Sequence, residues 1–392
     1  MHAQAEPGSS DVGERSPLAT PVTIVAHDVG DVGGMERVLA ELILGLRARG
    51  HELTVIARTC ALPASAGVRF HRVWGPRRPA LLAYPWFMFA GSIVTALRRR
   101  GVVQATGAIV LNRVDVVAVH YCHQIGPANP SRSSPLFRLH AALVSRMLRV
   151  AERLCFRASR GAAFVGVSEG VAAEVREHYP ELGARTTAIH NGVDVEGFAP
   201  GAREQEARAR RAQLGIAPGR LLAAFVGSEW ERKGLEPLIR ALARAPGWDV
   251  LVAGDGDRER YQALADSLGV GEAIHWLGVT RDVGLVYALA DAFVLPSAYE
   301  TFSLVTFEAA ASGLPLLATP VSGVRELIED GRNGYLIDRE PATIARRLVQ
   351  LGGDAGLRAR LGAGARESAL AFGWGEMVAK HERLYAQVSA RG

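Results

Sequence analysis

Lysine is almost absent from this 392-residue chain, and arginine supplies nearly all of its positive charge. Because Lys233 and Lys380 are the only lysines, the position of each of them is of interest. Cysteine is also scarce: Cys60, Cys122 and Cys155 are odd in number, widely spaced and without a Cys-x-x-Cys pair. This usage is typical of a reduced cytoplasmic protein and argues against a disulfide framework or a thiolate metal site.

Two common nucleotide-binding motifs are missing as well. The chain has neither the Gly-x-Gly-x-x-Gly turn of nicotinamide enzymes nor the Gly-x4-Gly-Lys-[Ser/Thr] loop of NTPases. A net charge of +5 and a pI of about 9.4 permit an anionic ligand or a membrane surface, but the arginines are scattered along the whole chain. A nucleic-acid partner is therefore not indicated.

The chain also lacks a long uninterrupted apolar run. The nearest candidate is 80–97, which lies between Arg77-Arg78 and Arg98-Arg99-Arg100. Four residues interrupt it, namely Tyr84, Pro85, Gly91 and Ser92. We interpret this segment as a partly buried helix whose basic flanks contact anionic lipid, with a membrane-spanning helix as the weaker alternative.

Strands and helices alternate along most of the chain. The length favours two domains, and 48% hydrophobic residues are enough for two cores. In the first half we expect strands at Val22–Ala26, Leu53–Ala57, Ala108–Leu111, Val116–Val119 and Ala162–Val167. The second half repeats the pattern, with strands at Leu221–Val226, Val250–Ala253, Ile274–Leu277, Ala292–Leu295 and Leu316–Ala318. This order predicts an α/β fold of two Rossmann-like, doubly wound parallel-sheet domains that face each other across a cleft.

The predicted chain organisation has four parts. Residues 1–20 are polar and lack the apolar core of a signal peptide, so we expect a flexible N-terminal tail. An N-terminal Rossmann-like domain follows at 21–190, and a C-terminal Rossmann-like domain at 191–375. A last helix at 376–392 is expected to cross back to the N-terminal domain.

The most informative stretch is an acidic strand-to-helix corner in the second half. Glu300 follows the apolar strand Ala292–Leu295, and Glu308 stands in an alanine-rich helical turn where packing gives no reason for a carboxylate. Ionised carboxylates accept hydrogen bonds through two oxygens, which suits a hydroxyl-rich ligand. Taken alone, a capping or surface acid pair is the commoner explanation.

Each half begins with a glycine-bearing turn between a strand and a helix. Gly33 and Gly34 precede a helix whose N-terminal amides could face an anion, although a simple tight turn is equally compatible. The second turn, Gly227–Gly234, carries Arg232 and Lys233 side by side. A diphosphate would relieve their mutual repulsion, and a solvated surface pair is the alternative.

Two further motifs follow predicted strands. His120 comes directly after Val116–Val119, where it could donate to a substrate hydroxyl or serve as a structural histidine. The stretch 254–257 (Gly-Asp-Gly-Asp) has the spelling of a metal-binding Asp-x-Asp motif. Because glycine and aspartate are common turn formers, we interpret it as a turn and predict no metal site.

Taken in order, these motifs resemble the large family of retaining GT-B glycosyltransferases called glycosyl transferases group 1, or GT4-like. The matching residues are Gly33-Gly34-Met35-Glu36-Arg37, His120, Val167-Ser168, His190-Asn191-Gly192-Val193-Asp194, Arg232-Lys233-Gly234, Gly254-Asp255-Gly256, Trp276-Leu277-Gly278, the run from Ala290 to Pro315, Gly323, Glu326 and Asn333-Gly334. One position departs from the pattern. Many relatives carry arginine directly after the first glycine of the second turn, where this chain has Ser228.

The resemblance implies a nucleotide-sugar donor bound by the C-terminal domain and an acceptor bound by the N-terminal domain. Arg232 and Lys233 would hold the diphosphate, Glu308 the ribose hydroxyls, and Glu300 the sugar. The implied catalytic residues are His120, Arg232, Lys233 and Glu300. The implied donor-binding residues are Gly33, Gly34, Gly227, Ser228, Arg232, Lys233, Leu277, Thr301, Phe302, Ser303, Leu304 and Glu308.

The implied reaction moves a hexose-type sugar to an acceptor hydroxyl with retention, without a metal or cofactor. The acceptor would be a carbohydrate, a lipid-linked compound or a small molecule, bound around 29–31 and 120–135. From the cysteine usage and the basic apolar segment, we expect a cytoplasmic location with a peripheral contact to the inner face of the membrane. Three alternatives stay open: an inverting GT-B transferase, a sugar-nucleotide epimerase and an inactive sugar-nucleotide-binding protein.

Overall fold

The computed structural model describes residues 18–30, 33–125 and 135–391. The strands are β1 (Val22–Val25), β2 (Asp28–Val29), β3 (Leu53–Ala57), β4 (Thr59–Cys60), β5 (Arg69–Arg72), β6 (Val102–Thr106), β7 (Val116–Val119), β8 (Ala163–Gly166), β9 (Thr186–Ala188), β10 (Leu221–Val226), β11 (Trp248–Ala253), β12 (Ile274–Gly278), β13 (Ala292–Leu295), β14 (Leu316–Ala318) and β15 (Gly334–Leu336).

The helices alternate with these strands. They are α1 (Gly34–Ala48), α2 (Ala80–Arg98), α3 (Pro135–Ala158), α4 (Glu169–His178), α5 (Glu204–Gln213), α6 (Trp230–Lys233), α7 (Leu235–Leu242), α8 (Arg258–Ser267), α9 (Val283–Leu289), α10 (Leu304–Ala311), α11 (Val324–Leu327), α12 (Pro341–Gly353), α13 (Ala355–Ala369) and α14 (Trp374–Ser389).

Two parallel sheets organise the chain. The first has the strand order β5-β3-β1-β6-β7-β8-β9 and the second β12-β11-β10-β13-β14-β15. In both, the chain starts at a central strand, moves outward to one edge and then returns to extend the other side, which is the doubly wound order. The predicted α/β fold with two Rossmann-like sheets is therefore confirmed.

The strands of the second sheet show why this order forms. Every residue of β11 is buried, as are all residues of β10 except its first, so these strands are covered on both faces. Their near-continuous apolar sequences suit a parallel sheet with helices on both sides, because an alternating pattern would leave one face in water.

One predicted strand is wrong. Residues Ala108–Leu111 form no strand, and β6 lies six residues earlier, at Val102–Thr106. Gln104 and Thr106 made this segment look polar, but both side chains are buried in the first sheet. Tyr385 donates a 2.7 Å hydrogen bond to Gln104 Oε1 from α14, so a partner distant in sequence makes burial of the amide oxygen possible.

The chain divides into two compact units. The first contains the described residues up to Val117, Leu154–Ala162 and the chain from Val378 onward; the second contains the described residues of Ala118–Arg153 and Ala163–Met377. Residues 1–17, which include most of the predicted tail, lie outside the described residues, as do 31–32 and 126–134 of the predicted acceptor region.

Among the described residues, one helix is long and apolar enough to cross a membrane, by length and composition only. It is α2, which the sequence predicted as a partly buried helix. Core helices of soluble proteins also pass this criterion, so it is weak evidence for a membrane span.

The C-terminal part of α14 is fixed inside the first unit by a buried carboxylate. Glu382 accepts hydrogen bonds of 3.0 Å from Arg49 Nη1 and 3.0 Å from His51 Nε2. His51 has no exposed surface and Glu382 is also buried, so removal of the carboxylate leaves a polar ring without this partner.

We expect Glu382→Ala to lower the free energy of unfolding by about 2 kcal/mol, the usual cost of a buried polar group that loses its partner. Urea denaturation followed by circular dichroism measures this loss. The exposed Gln387 lies on the same helix, and Gln387→Ala should change stability by less than about 0.5 kcal/mol. Equal losses in the two variants would contradict the importance of the Glu382 contacts.

Candidate functional site

A cavity of about 1380 Å³ lies in the second unit, where several parallel strands end. Its lining includes residues that follow β7 of the first sheet and β10, β11 and β13 of the second, and ligand sites of open α/β sheets lie at such carboxyl ends of strands. These residues are His120, Tyr121, Glu229, Arg232, Asp257, Tyr299, Glu300 and Thr301.

Three predicted catalytic residues form one charged cluster, of which Arg232 and Glu300 line this cavity. Lys233 Nζ donates to Glu300 Oε1 at 2.9 Å, and Arg232 Nη1 lies 3.2 Å from the same oxygen. Ser297 Oγ donates to that oxygen as well, at 2.8 Å. Lys233 and Glu300 are both buried, so the cluster is built into the fold rather than formed at the surface.

The charges of this cluster stabilise one another. Burial alone would raise the pKa of Glu300, but the charges of Lys233 and Arg232, with hydrogen bonds from Lys233 and Ser297, hold that pKa below its ordinary value. Burial would lower the pKa of Arg232, yet the neighbouring carboxylates raise it. Glu300 and Arg232 are therefore ionised at neutral pH.

Arg232 has a second acidic partner that a ligand could replace. Glu229 Oε2 lies 2.8 Å from Arg232 Nη2, and the Glu229 side chain is 68% exposed. An exposed ion pair contributes little stability, so a phosphate could displace Glu229 at low cost while the buried contact with Glu300 stays in place.

Gly227 and Gly234 are both required by the close packing of the basic turn. A Cβ atom at Gly227 would lie 2.5 Å from Lys233 Cε, and one at Gly234 would lie 2.2 Å from the carbonyl oxygen of Pro296. Both glycines have positive φ, 128° and 83°. This turn therefore needs glycine at both positions to bring Lys233 to Glu300.

Backbone strain marks the same two turns. In the described part of the chain, Glu229 and Ser303 are the non-glycine residues with positive φ, at 57° and 66°. Glu229 precedes α6 in the basic turn, and Ser303 precedes α10 in the acidic corner. Non-glycine residues in this conformation cost about 1 kcal/mol or more and concentrate at functional sites.

Glu308 lies in α10 and does not line the cavity described above. It is buried, and its Oε2 accepts a 3.0 Å hydrogen bond from Tyr287 Oη of α9. Glu308, for which packing gives no reason in the sequence, is thus held by a tyrosine from a neighbouring helix. The sequence contains no local signal for this partner, because Tyr287 is 21 residues away.

Ser168 occupies a Gly-x-Ser-x-Gly spelling between β8 and α4, a pattern typical of hydrolase nucleophiles. Its hydroxyl accepts from the Val171 amide at 3.1 Å and donates to the Thr301 carbonyl at 2.7 Å. The side chain has no exposed surface, so it is an N-cap rather than an accessible nucleophile. Its bond to Thr301 fixes the acidic corner.

Glu326 and His190, two residues that the family resemblance includes, form a separate hydrogen-bonded pair. Glu326 pairs with His190 Nε2 and accepts hydrogen bonds from the amides of Glu169 at 2.8 Å and Gly323 at 3.1 Å. Burial would raise the pKa of Glu326, but these donors hold it below its ordinary value. The acid therefore connects the start of α4 with the start of α11.

The stretch 254–257 is a turn, as the sequence indicated. Asp257 is the N-cap of α8 and accepts a 3.1 Å hydrogen bond from the Arg260 amide, while the Asp255 amide donates to Ser228 Oγ at 3.3 Å. In residues 18–30, 33–125 and 135–391, no group of three or more His, Cys, Asp or Glu side chains is arranged to hold a metal ion.

The remaining predicted residues have mixed surroundings. Phe302 is buried and its ring stacks on Phe307 at 4.1 Å, so only its backbone is available to a ligand. Leu304 is the first residue of α10, and Leu277 is half-buried in β12.

Gly33 and Gly34 belong to the first unit, where they precede and begin α1. That unit has its own cavity of about 360 Å³ next to this turn, lined by Asp28, Gly30, Glu36, Arg58 and Arg77 among others. Arg58 pairs with Asp28, and Thr59 Oγ1 donates to the same carboxylate at 2.6 Å.

Sequence reasoning missed the aromatic wall of the large cavity. The rings of Tyr121 and Tyr299 meet edge to face at 5.7 Å, directly beside His120 and Glu300 in the sequence. Their positions next to two predicted residues were the available signal.

Burial raises the pKa of Glu174, on α4 near these tyrosines, to about 7. The raised pKa of Glu174 predicts that the stability of the fold depends on pH. Because its pKa is raised from 4.5 to about 7 in the folded protein, the fold favours the protonated acid and loses stability as pH rises through this window. We expect Glu174→Gln to raise the melting temperature at pH 8 and to flatten its dependence between about pH 5 and 8. Thermal denaturation across pH measures this, with the exposed Glu181→Gln as control. A melting temperature at pH 8 that falls in Glu174→Gln would contradict the prediction.

Two family models match successive parts of the chain. The family Glycosyltransferase Family 4 matches residues 32–196, and Glycosyl transferases group 1 matches residues 206–368. A D-inositol 3-phosphate glycosyltransferase of Xylanimonas cellulosilytica is 30% identical over 96% of this chain and 95% of its own length. The protein of the same name from Streptomyces bingchenggensis is 35% identical, but the match spans 56% of this chain and only 51% of that relative.

Solved structures with the same fold include the lipopolysaccharide glycosyltransferase WaaG, with a TM-score of 0.76, 21% identity and coverage of 92% of this chain and 98% of WaaG. Sucrose-phosphate synthase from Thermosynechococcus elongatus has a TM-score of 0.76, 20% identity and coverage of 95% and 100%. Anabaena HepE in complex with UDP-glucose has a TM-score of 0.70, 21% identity and coverage of 92% and 98%.

The two doubly wound sheets and these structural matches define the fold as GT-B. More narrowly, the relative that is 30% identical over 96% of this chain, together with the two family models, shows that the chain belongs to the GT4-like glycosyl transferases group 1 family.

Proposed function

We propose that this glycosyltransferase moves a hexose-type sugar from a nucleoside-diphosphate sugar to an acceptor hydroxyl, with retention of anomeric configuration and without a metal ion or cofactor. One observation carries the proposal: Arg232 and Lys233 converge on a single oxygen of Glu300 in the wall of a large cavity. Two adjacent cations held this close to each other suit a ligand with two adjacent phosphates.

The basic pair has a clear role in such a reaction. When the glycosidic bond breaks, negative charge grows on the departing diphosphate and positive character develops at the anomeric carbon. Lys233 and Arg232 are already in place before the reaction, so they stabilise the departing charge without reorganisation. Because this charge is larger in the transition state than in the bound donor, the stabilisation raises turnover.

The acidic corner would orient the sugar. Glu300 is fixed by Ser297 and the two cations, and the Thr301 carbonyl is fixed by Ser168, so the backbone next to the sugar is rigid. His120 lines the same cavity and is the candidate donor to a sugar hydroxyl. Ser228, where many relatives carry arginine, leaves the charge stabilisation to Arg232 and Lys233.

For the acceptor we propose the cavity of the first unit near Val29 and Gly30. Its lining combines Asp28 and Glu36 with Arg58 and Arg77, a mixture that suits a polyol and its hydroxyl groups. A carbohydrate, a lipid-linked compound or a small polyol would all present such groups. The proposed location is the cytoplasm, where the inner face of the membrane would offer a lipid-linked acceptor.

A donor screen tests the proposal. Purified protein is incubated with UDP-, GDP- and ADP-sugars and a panel of acceptors that includes D-inositol 3-phosphate, the compound in the names of the relatives, with EDTA present throughout. We expect release of one nucleoside diphosphate and, by NMR, a product with the anomeric configuration of the donor.

The other outcomes identify the alternatives. A product with the opposite configuration indicates an inverting transferase, and an altered donor sugar without transfer indicates an epimerase. Donor binding with no release of nucleotide indicates an inactive binding protein. Turnover that EDTA abolishes and added divalent metal restores would contradict the metal-independent reaction.

A further inference from the structure

Helix α2 has two apolar faces, and the first unit covers only one of them. Ala83, Phe87, Gly91 and Thr95, spaced four residues apart, are buried. Phe87 also contacts the ring of His27, which follows β1, at 4.4 Å. This face therefore holds the helix in the fold as an ordinary core element.

The opposite face of α2 is apolar and exposed. It consists of Leu82, Trp86, Phe89, Ile93 and Leu97, which recur every three or four residues and so form one stripe along the helix. These side chains are 46–74% exposed. We call this stripe the outer face of α2. A contiguous apolar surface of this kind marks an interaction site, whereas single exposed apolar residues are ordinary.

Positive charge surrounds the outer face. Arginine is scattered over the chain as a whole, but residues 53–114 contain nine arginines and no aspartate or glutamate. Arg77 and Arg78 precede the helix, and Arg98, Arg99 and Arg100 end it, all of them exposed. A partner that binds this surface must therefore be apolar where it contacts the outer face of α2 and anionic where it contacts the surrounding arginines.

Two tryptophans strengthen this chemical pattern at one end of the stripe. Trp74 is 70% exposed, and Arg72 lies over its ring at 3.8 Å from the centroid. Trp86 Nε1 donates to the Trp74 carbonyl at 2.7 Å, so the second ring is held in a fixed orientation. Exposed tryptophan next to arginine is typical of segments that lie at the boundary between lipid headgroups and acyl chains.

We propose that the outer face of α2 docks on an anionic lipid surface, with the helix lying in the plane of the membrane interface. Apolar side chains enter the acyl region while the arginines at both ends contact lipid phosphates. This inference goes beyond the proposed reaction and does not depend on it, because binding to lipid can be measured without any donor or acceptor.

Other occupants fit the surface less well. A second copy packed on the same face would bring five arginines toward five arginines. A membrane-spanning arrangement would pull Phe87 out of the core and break the 2.7 Å hydrogen bond from Tyr84 Oη to the Ala108 carbonyl. An interfacial helix keeps both contacts.

Co-sedimentation with vesicles tests the proposal. We expect the protein to bind vesicles with about one-third phosphatidylglycerol at least about tenfold more tightly than vesicles of phosphatidylcholine alone. The binding should weaken in about 1 M salt, where the electrostatic part is screened. Alkaline carbonate should remove the protein, because it does not span the bilayer.

Two pairs of variants separate the apolar and charged contributions. Phe89→Ser with Leu97→Ser should reduce binding to anionic vesicles by about tenfold or more. The matched control is Val349→Ser with Leu370→Ser, two side chains with 50% and 51% exposure that lie in the second unit. Arg98→Gln with Arg100→Gln should cost about fivefold per arginine, against Arg208→Gln with Arg210→Gln as control.

Several results would overturn the proposal. One is that the protein binds no vesicles, and another is that its binding is independent of lipid charge and salt. A third is that the control variants reduce binding as much as the variants of the outer face. Concentration-dependent dimers that disappear in Phe89→Ser with Leu97→Ser would assign the face to a second copy. Retention after carbonate treatment would indicate a spanning helix. Circular dichroism and melting curves establish that each variant is folded.

Discussion

Replacement of Lys233 by alanine should reduce turnover by about a hundredfold or more, a loss typical of a charge that stabilises a departing anion. The ammonium group lies 2.9 Å from Glu300 and is buried, so no water replaces it at low cost. Because its contribution is greatest when the diphosphate departs, kcat should fall more than the affinity for donor. Steady-state rates of nucleotide release measure both quantities.

The chain offers its own matched control for this prediction. Lys380, the other lysine, lies in α14 of the first unit, and Lys380→Ala should leave turnover unchanged. Lys233→Arg should recover only part of the activity. The Gly227 backbone packs against the lysine stem, and the larger guanidinium group does not fit the same space. Turnover of Lys233→Ala at the wild-type rate would remove the basic pair from the proposed site.

Much of this site could be predicted from sequence because its residues directly follow apolar strands. Ligands of open α/β sheets bind at the carboxyl ends of the strands, so His120 after β7 of the first sheet and Glu300 after β13 of the second were both expected at a ligand site. The structure places both in the lining of one cavity. Lysine scarcity added a second signal, since one of two lysines falls in the basic turn.

The contacts that organise the site were not predictable in this way. Ser297 and Ser168 act through hydrogen bonds, and serines are common in turns, so their sequence neighbours give no warning of the role. Ser168 reaches Thr301 across 133 residues. Likewise, β6 was missed because the polar Gln104 is not expected in a buried strand. Its burial becomes possible only through the hydrogen bond that its amide oxygen accepts from Tyr385, 281 residues later. Such pairings depend on tertiary structure, whereas strand ends depend on local pattern.

Glu308→Ala should also cut turnover by about a hundredfold or more if Glu308 holds the ribose hydroxyls, the role that the family resemblance implies, because such a carboxylate positions the whole donor. Here the physical reason differs from that for Lys233. With Glu308 in that role, contacts with ribose would be made in the ground state as well, so the affinity for nucleoside diphosphate should fall together with the rate. Isothermal titration calorimetry measures this affinity directly.

The fold supplies the control that separates binding from structure. Glu308 Oε2 accepts from Tyr287 Oη at 3.0 Å, so Glu308→Ala also removes a hydrogen bond between α9 and α10. Tyr287→Phe deletes that bond but keeps the carboxylate, and we expect it to preserve most of the nucleotide affinity. Glu308→Gln keeps an acceptor for the tyrosine but loses the charge, so its affinity should be intermediate.

A cycle with a nucleoside diphosphate that lacks both ribose hydroxyls decides the assignment. If Glu308 binds the ribose, wild-type protein should lose affinity for this analogue, and Glu308→Ala should bind it as well as it binds the normal nucleotide. The effects of Glu308→Ala and of removing the ribose hydroxyls on the binding free energy would then be non-additive, and the difference measures the coupling between Glu308 and the hydroxyls. If Glu308→Ala weakens both ligands equally, the carboxylate acts through the α9–α10 contact, and its role in the site is structural.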